Sequence, residues 1–343
     1  MSKTIYYIGA GASYGKRDEK GAIIEGVPVV AEIPMEFAAF RKFIADAEIP
    51  TGYIQFQDFY QTTPEDVKRE KQMMLTDIDD LQKGIQEHAT IDTYARKLYL
   101  TRRFNEFKKL KDVLCSFFVW TQLEHKVDSR YDTFLANVLE ESTLSLPKDI
   151  SIISWNYDSQ IETAYKAYRY NQGLPIYEKN IQGGWPSMPK GGRIFKINGS
   201  ATFYDMSVVE RIKETENETA AALQLILFYN TSRADTSSMG FLLRTHLSFA
   251  WEAAAHHDNL MNSLAETTVD TEQMVVIGYS FPFFNREIDR AILKAMPNLQ
   301  KVYIQDINPS AVVQTINAAL PTDKKINIVP ISNCNQFYLP SEL

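Results

Sequence analysis

Small residues directly follow the first apolar run of the sequence, Ile-Tyr-Tyr-Ile at positions 5–8. They are Gly9, Ala10, Gly11, Ala12 and Ser13. Such residues let backbone N–H groups come close to a pyrophosphate at the end of a strand. The spacing departs from the dinucleotide fingerprint at Tyr14, and Arg17 stands where a Walker loop needs Ser or Thr. We predict a nucleotide-phosphate loop that is not an ATPase loop; a plain glycine turn is the alternative.

Polar or small residues also follow four later apolar runs. In an open parallel sheet, ligands bind beyond the carboxyl ends of the strands, so we expect the chemistry of this chain at these positions. The four groups are Asn156-Tyr157-Asp158, Asn198-Gly199-Ser200, Gly278-Tyr279-Ser280 and Asp306-Ile307-Asn308.

The apolar runs themselves are short and bounded by turns, which is typical of strands that are covered on both faces. Helical patterns lie between them, and this alternation predicts an α/β fold with a Rossmann-like open parallel sheet. The predicted strands are 5–8, 150–155, 193–197, 274–277, 302–304 and 326–329.

Between residues 36 and 145 the pattern is helical throughout. Apolar residues recur at three- and four-residue steps, and Thr63 followed by Pro64 has the residue types of a helix start. We predict a helical insertion over 36–145 and a core formed by 1–35 and 146–343. A further helical insertion is expected at about 201–264, with helices over 208–228 and 247–264 and a mobile loop over 230–238.

Composition limits the classes of function. The chain has 343 residues, of which 45% are hydrophobic, and its net charge of -7 disfavours general affinity for nucleic acid. The basic residues between Arg96 and Lys111 are expected to form a solvated face or a protein interface. Two cysteines cannot build a four-thiolate zinc site, and we expect no metal. Neither a signal peptide nor a long apolar run is evident, which favours a cytoplasmic protein without membrane contact.

In their order along the chain, these motifs resemble the sirtuin-like NADase domains of bacterial antiphage defence systems. The loop at 9–13 resembles the family's pyrophosphate loop, and Asn156-x-Asp158 resembles its catalytic Asn-x-Asp. Gly278-Tyr279-Ser280 resembles its Gly-Tyr-Ser turn, and Asp306 to Asn308 its adenosine-side segment. The resemblance covers nearly the whole chain. It implies NAD as the substrate, a homo-oligomer, and a helicase-type ATPase partner encoded nearby; protein deacylation is disfavoured because the zinc cysteines are missing.

Cleavage of NAD to nicotinamide and ADP-ribose builds positive charge on the ribose carbon while a neutral group leaves. The amide of Asn156 can donate to a ribose hydroxyl and accept from the attacking water, so we expect it to face the ligand. Asp158 is expected to cap the following helix and to orient Asn156. A purely structural Asn-x-Asp turn is the alternative.

The main departure from the family pattern is at Asn198. Where the family reads Lys, an aliphatic residue, His, Gly and Ser, this chain has Asn198 before Gly199 and Ser200. Loss of a general base typically lowers a rate by roughly 100- to 10,000-fold. None of the histidines follows a predicted sheet strand; they are His88, His125, His246, His256 and His257. Two functions remain open: an NAD glycohydrolase in which Asn198 orients water, or a module that binds NAD or ADP-ribose for assembly or sensing with a partner.

Overall fold

The computed structural model describes residues 3–52, 54–56, 60–88, 90–168, 176–178, 192–201, 212, 218–233, 247–252, 257–320, 325–341 and 343. The strands are β1 (Lys3–Ile8), β2 (Lys16–Arg17), β3 (Ile23–Glu25), β4 (Ile54–Phe56), β5 (Tyr60–Thr62), β6 (Ile150–Ser154), β7 (Ile176–Glu178), β8 (Ile194–Lys196), β9 (Thr271–Ile277), β10 (Lys301–Gln305) and β11 (Asn327–Ile331). The helices are α1 (Ile33–Asp46), α2 (Pro64–Gln86), α3 (Ile91–Leu100), α4 (Phe104–Glu124), α5 (Ser129–Val138), α6 (Gln160–Lys166), α7 (Glu218–Arg233), α8 (His257–Thr268), α9 (Arg286–Lys294) and α10 (Pro309–Asn317).

A seven-stranded sheet organises the first of two compact units, which comprises Met1–Val27, Lys126–Ser200 and Ser248–Leu343. Its strand order is β11-β10-β9-β1-β6-β8-β7, and every neighbouring pair is parallel. The chain leaves β1 toward β6 and later returns to β9 on the other side of β1. The order therefore reverses between β1 and β9, and open α/β sheets bind ligands beyond the carboxyl ends of the strands at such a point. The predicted Rossmann-like open sheet is confirmed.

Both faces of this sheet are covered, which explains why its central strands are almost continuously apolar. On one face Ile5 and Tyr7 pack with residues of α8, α9 and α10; on the other Tyr6 and Ile8 pack with residues of α5 and α6. Helix α5 thus contributes to the core of the sheet unit, although it falls within the range predicted as the insertion.

The second compact unit comprises Pro28–His125 and Ala201–Leu247 and is mainly helical. Thr63 caps α2 by accepting from the amide of Asp66 over 3.1 Å, as its residue type predicts. Phe37 stacks on Phe117 with ring centroids 4.4 Å apart, so the apolar faces of α1 and α4 form a shared core. The later segment of this unit begins at Ala201, whereas its other limits differ from 36, 145 and 264; the predicted domain organisation stays a prediction.

Two local predictions are wrong. Residues 247–252 are not helical, and helix α8 is described from His257 onward. The segment is instead fixed to Asn198, which accepts from the amide of Ser248 through its carbonyl over 2.8 Å and from the amide of Ala250 through its Oδ1 over 2.9 Å. Helix α7 continues through residues 230–233, where a loop was predicted, and 234–238 lie outside the described residues. The predicted helix start at 208 also lies outside them.

Candidate functional site

The loop after β1 is a single 3-10 turn, Ala10–Ser13, that packs on the turn after β9. The amide of Gly9 donates to the carbonyl of Ile277, and the amide of Gly11 donates to the carbonyl of Gly278, each over 3.0 Å. A Cβ on Gly11 would lie 2.7 Å from the Cα of Gly278. Close packing of two backbones therefore requires glycine here whether or not a phosphate binds. Ala10 is exposed and Gly11 half-buried, so the loop also borders solvent.

The buried hydroxyl of Ser13 joins the groups predicted to do chemistry. Asn156 donates to Ser13 Oγ through its Nδ2 over 3.0 Å, and Ser13 donates to Asp158 Oδ1 over 3.1 Å. The hydroxyl of Tyr131 lies 2.9 Å from Ser13 Oγ. Since Ser13 donates its proton to the carboxylate, Tyr131 acts as a second donor to Ser13. The structure therefore brings the last residue of the glycine loop together with both residues of the Asn-x-Asp motif.

Asp158 is held from the other side by the start of α6. Its Oδ1 accepts from the amide of Gln160, the first residue of α6, over 3.0 Å, while Ser159 occupies the N-cap position. Burial raises the pKa of this carboxyl, and the charge of Lys196 opposes the rise. The carboxyl is thus a buried acceptor that fixes Ser13 and the first turn of α6.

A buried ion pair lies directly behind this motif. Lys196 at the end of β8 donates to the main-chain carbonyl of Asp158, and its Nζ lies 3.1 Å from Glu162 Oε1 on α6. The side chains of Lys196 and Glu162 are 1% and 4% exposed. Sequence reasoning gave neither residue a role. The signal was present, because charged residues within an apolar strand and on the inner face of a helix are rarely buried without a partner.

Asn198 follows the same strand and uses its amide on the main chain. Its Nδ2 donates to the carbonyl of Trp155 over 2.8 Å, and its Oδ1 accepts from the amide of Ala250 over 2.9 Å. The side chain thereby links the residue before Asn156 to the segment 247–252. Gly199 has a φ of +66°, and Ser200 is buried behind it.

The turn after β9 is built on aromatic contacts. Tyr279 stacks on Trp155 with ring centroids 5.0 Å apart and an interplanar angle of 14°. Its hydroxyl lies 3.2 Å from both carboxylate oxygens of Asp289, and the hydroxyl of Tyr7 donates to Asp289 Oδ1 over 2.5 Å. Ser280 is exposed beside the turn.

Sequence reasoning gave Asp289, a residue of α9, no functional role. The side chain is buried, and the loss of solvation raises its pKa to about 7. The burial of Asp289 could have been predicted from the sequence, because Ile292 and Leu293 follow it at steps of three and four and are buried on the same helix face.

Asp306 begins a turn after β10. Its Oδ1 accepts from the amide of Asn308 over 2.8 Å, and helix α10 starts at the next residue. Asp306 is half-buried and Asn308 is exposed, at the same carboxyl edge of the sheet as the turn after β9. Their predicted contact with adenosine stays a prediction.

Arg130 is a further residue that sequence reasoning missed. Its guanidinium donates to the carbonyls of Gly11 over 3.1 Å and Cys334 over 3.2 Å, and it pairs with Asp128 over 2.6 Å. The glycine loop is therefore anchored on its carbonyl side by Arg130.

The remaining predicted candidates lie elsewhere. His88 and His125 belong to the helical unit, His246 and His256 lie outside the described residues, and the same holds for the side chain of His257. In the basic cluster of the helical unit, Lys109 pairs with Asp77 and Lys108 with Asp112, and both carboxylates are buried.

The sheet order and the residues gathered beyond its carboxyl edge define the chain as an α/β protein with a Rossmann-like open sheet. No protein-family model and no curated protein matches the sequence. Within the described part of the chain, every helix is too short or too polar to cross a bilayer.

Proposed function

We propose that this chain is an NAD glycohydrolase that cleaves NAD to nicotinamide and ADP-ribose as the effector of a bacterial antiphage defence system. The observation that carries the proposal is the contact of Ser13 with Asn156 and Asp158, at 3.0 and 3.1 Å. It joins the loop suited to a diphosphate with the amide suited to the ribose of the same substrate. Two segments far apart in sequence need not meet in this way in an unrelated α/β protein.

The dinucleotide is expected to lie along the carboxyl edge of the sheet, across the point where the strand order reverses. Its diphosphate would face Ala10 and Gly11 on one side and Ser280 on the other, which all reach solvent. Its adenosine would extend toward Asp306 and Asn308, and its nicotinamide ribose toward Asn156.

In the reaction, the bond between the ribose carbon and nicotinamide breaks, and its electron pair neutralises the ring nitrogen. Water forms the new bond to that carbon and releases a proton to solvent. Asn156 would orient the ribose and the water without changing its own charge. Ser13 and Asp158 would hold the amide in place, because preorganised polar groups stabilise developing charge without reorganising during the step.

A second function is favoured by one specific observation. Both ends of the Asn198 amide are engaged with the main chain, at 2.8 and 2.9 Å, so this side chain is occupied as a structural link. If nothing else activates water, the site binds NAD or ADP-ribose without turnover and serves assembly or sensing. A homo-oligomer and a helicase-type ATPase partner are part of either proposal.

The test follows NAD by NMR with purified protein, alone and with the product of a neighbouring ATPase gene. We expect nicotinamide and ADP-ribose to form, and Asn156→Ala to abolish their formation. Asn137→Ala is the matched control, since Asn137 is an exposed asparagine on α5 of the same unit.

Calorimetric titration with ADP-ribose separates the two functions. Binding with intact NAD in every mixture would favour the binding module. Absence of both binding and cleavage would contradict both functions, and cleavage that survives Asn156→Ala would contradict the assigned site.

A further inference from the structure

We propose that Asp289 is a positioning residue of the nucleotide site, which acts through the hydroxyl of Tyr279 to hold the turn after β9 against the glycine loop. This inference rests on the proposed function for its ligand, although its structural part can be tested without one. Asp289 itself lies outside the motifs from which that function was argued, whereas its contact Tyr279 belongs to one of them.

The first step is the contact of the carboxylate with Tyr279. Both oxygens of Asp289 lie 3.2 Å from the Tyr279 hydroxyl, and Asn285 donates to the same hydroxyl over 3.1 Å. With Asn285 as a donor, the hydroxyl has its own proton free to donate to the carboxylate. Asp289 thus fixes the end of the Tyr279 side chain.

The second step leads from Tyr279 to the glycine loop. A Cβ on Gly9 would lie 2.7 Å from the Cβ of Tyr279, so the two backbones are in direct contact. Gly278 adopts a φ of +59° and Phe281 a φ of +53°, a region that a bulky side chain rarely occupies. A turn with such backbone angles is stable only when contacts with the rest of the protein fix it. In this turn, the side chain of Tyr279 provides a contact with an ionisable group, the carboxyl of Asp289.

The third step leads from Tyr279 to the reacting end of the site. The ring of Tyr279 stacks on Trp155, and Trp155 directly precedes Asn156. A displacement of Tyr279 therefore affects both the diphosphate side and the ribose side.

The ionisation of Asp289 modulates this contact. Among the described residues, the polar groups that face its carboxyl are the hydroxyls of Tyr7 from β1 and Tyr279 from the turn. The charged neighbours on its own helix, Glu287 and Arg290, are exposed. The ionised carboxylate accepts from both hydroxyls, whereas the protonated form carries a proton that competes with one of them. We expect the turn to be held more firmly when Asp289 is charged.

The experiment compares Asp289→Asn, Tyr279→Phe and Tyr7→Phe with the unchanged chain. Tyr7→Phe is the matched control, because it removes one hydroxyl from the same carboxylate and leaves Tyr279 bound. Calorimetric titration with ADP-ribose is done at pH 6 and pH 8, on either side of the Asp289 pKa of about 7. Hydrogen exchange of residues 9–14 and 278–281 is measured at pH 8 without ligand.

We expect ADP-ribose to bind the unchanged chain more tightly at pH 8, by about fivefold, the size of one hydrogen bond. Tyr7→Phe loses a hydrogen bond that lowers the pKa of Asp289, so the same tightening should appear there at a higher pH. Asp289→Asn and Tyr279→Phe should bind equally at both pH values and show faster exchange in both segments. Unchanged binding and exchange in Asp289→Asn would overturn the inference, as would the same loss in Tyr7→Phe. If ADP-ribose binds no variant and NAD stays intact, the proposed function is wrong, and the exchange data alone decide the role of Asp289.

Discussion

The side-chain amide of Asn156 donates to the hydroxyl of Ser13 over 3.0 Å, although the two residues are 143 positions apart in the sequence. Ser13 ends the loop after β1, and Asn156 lies just beyond β6. These strands are parallel neighbours, so their carboxyl ends meet at one edge of the sheet. The hydroxyl of Ser13 thus connects the glycine loop with the Asn-x-Asp motif.

In the unchanged chain, the buried hydroxyl of Ser13 forms hydrogen bonds with both Asp158 and Tyr131. Replacing Ser13 by Ala removes this partner from each of them. We expect the free energy of unfolding to fall by about 1–3 kcal/mol, the usual penalty for unsatisfied buried polar groups. Urea denaturation measures it. Ser310→Ala is the control, because Ser310 is exposed at the start of α10, and it should change stability by less than about 0.5 kcal/mol. Equal effects of the two variants would show that the Ser13 hydroxyl contributes nothing to stability.

Replacing Lys196 by Met leaves the carboxylate of Glu162 buried without its cation. We expect a loss of about 3–5 kcal/mol in unfolding free energy, and recovery of most of it when Glu162 is also replaced by Leu. Denaturant unfolding of both variants provides the measurement. Lys16→Met is the control, since the Lys16 side chain in its ion pair with Glu25 is 62% exposed, and such pairs contribute below about 1 kcal/mol. A double variant as unstable as Lys196→Met would contradict this account.

The raised pKa of Asp289 predicts a specific pH dependence of stability. In the folded chain the carboxyl holds its proton up to about pH 7, whereas in the unfolded chain it titrates at its ordinary pKa of 3.8. Between these two pH values the folded state therefore binds more protons than the unfolded state does. Its contribution to stability is therefore complete below the ordinary value and is lost as the pH rises through 7. Relative to Asp289→Asn, which does not titrate, the unchanged chain should lose about 2–3 kcal/mol between roughly pH 5 and 8. Parallel stability curves for the two proteins would contradict the assigned pKa.

Replacing Gly11 by Ala places a methyl group 2.7 Å from the Cα of Gly278, where only backbone is available to move. We expect a loss of about 1–3 kcal/mol from overpacking and weaker binding of ADP-ribose. Thermal unfolding and calorimetric titration are the measurements. A Cβ on Gly52 would meet no atom within 4 Å, so Gly52→Ala is the control for a glycine replacement without a clash. A Gly11→Ala chain that binds as the unchanged chain does would argue against close packing of the two turns.

Much of the fold was accessible from the sequence because buried strands leave a local signature. The apolar run at 150–155 became β6 (Ile150–Ser154), and Thr63 with Pro64 marked the start of α2 within one residue. Local patterns failed where a distant partner decided the outcome. Segment 247–252 is apolar enough for a helix, but Asn198 binds its amides and holds it in another conformation.

The sequence by itself determined that small and polar residues end the central strands, and hence where a ligand site was to be sought. Only the tertiary structure decided which of these side chains contact one another and which form structural hydrogen bonds with the main chain. It joined Ser13 to Asn156, engaged Asn198 with the main chain, and buried Asp289 beneath Tyr279. The physical reason is that residue type and spacing specify local conformation, whereas a hydrogen bond between distant segments exists only after the sheet has set its strand order.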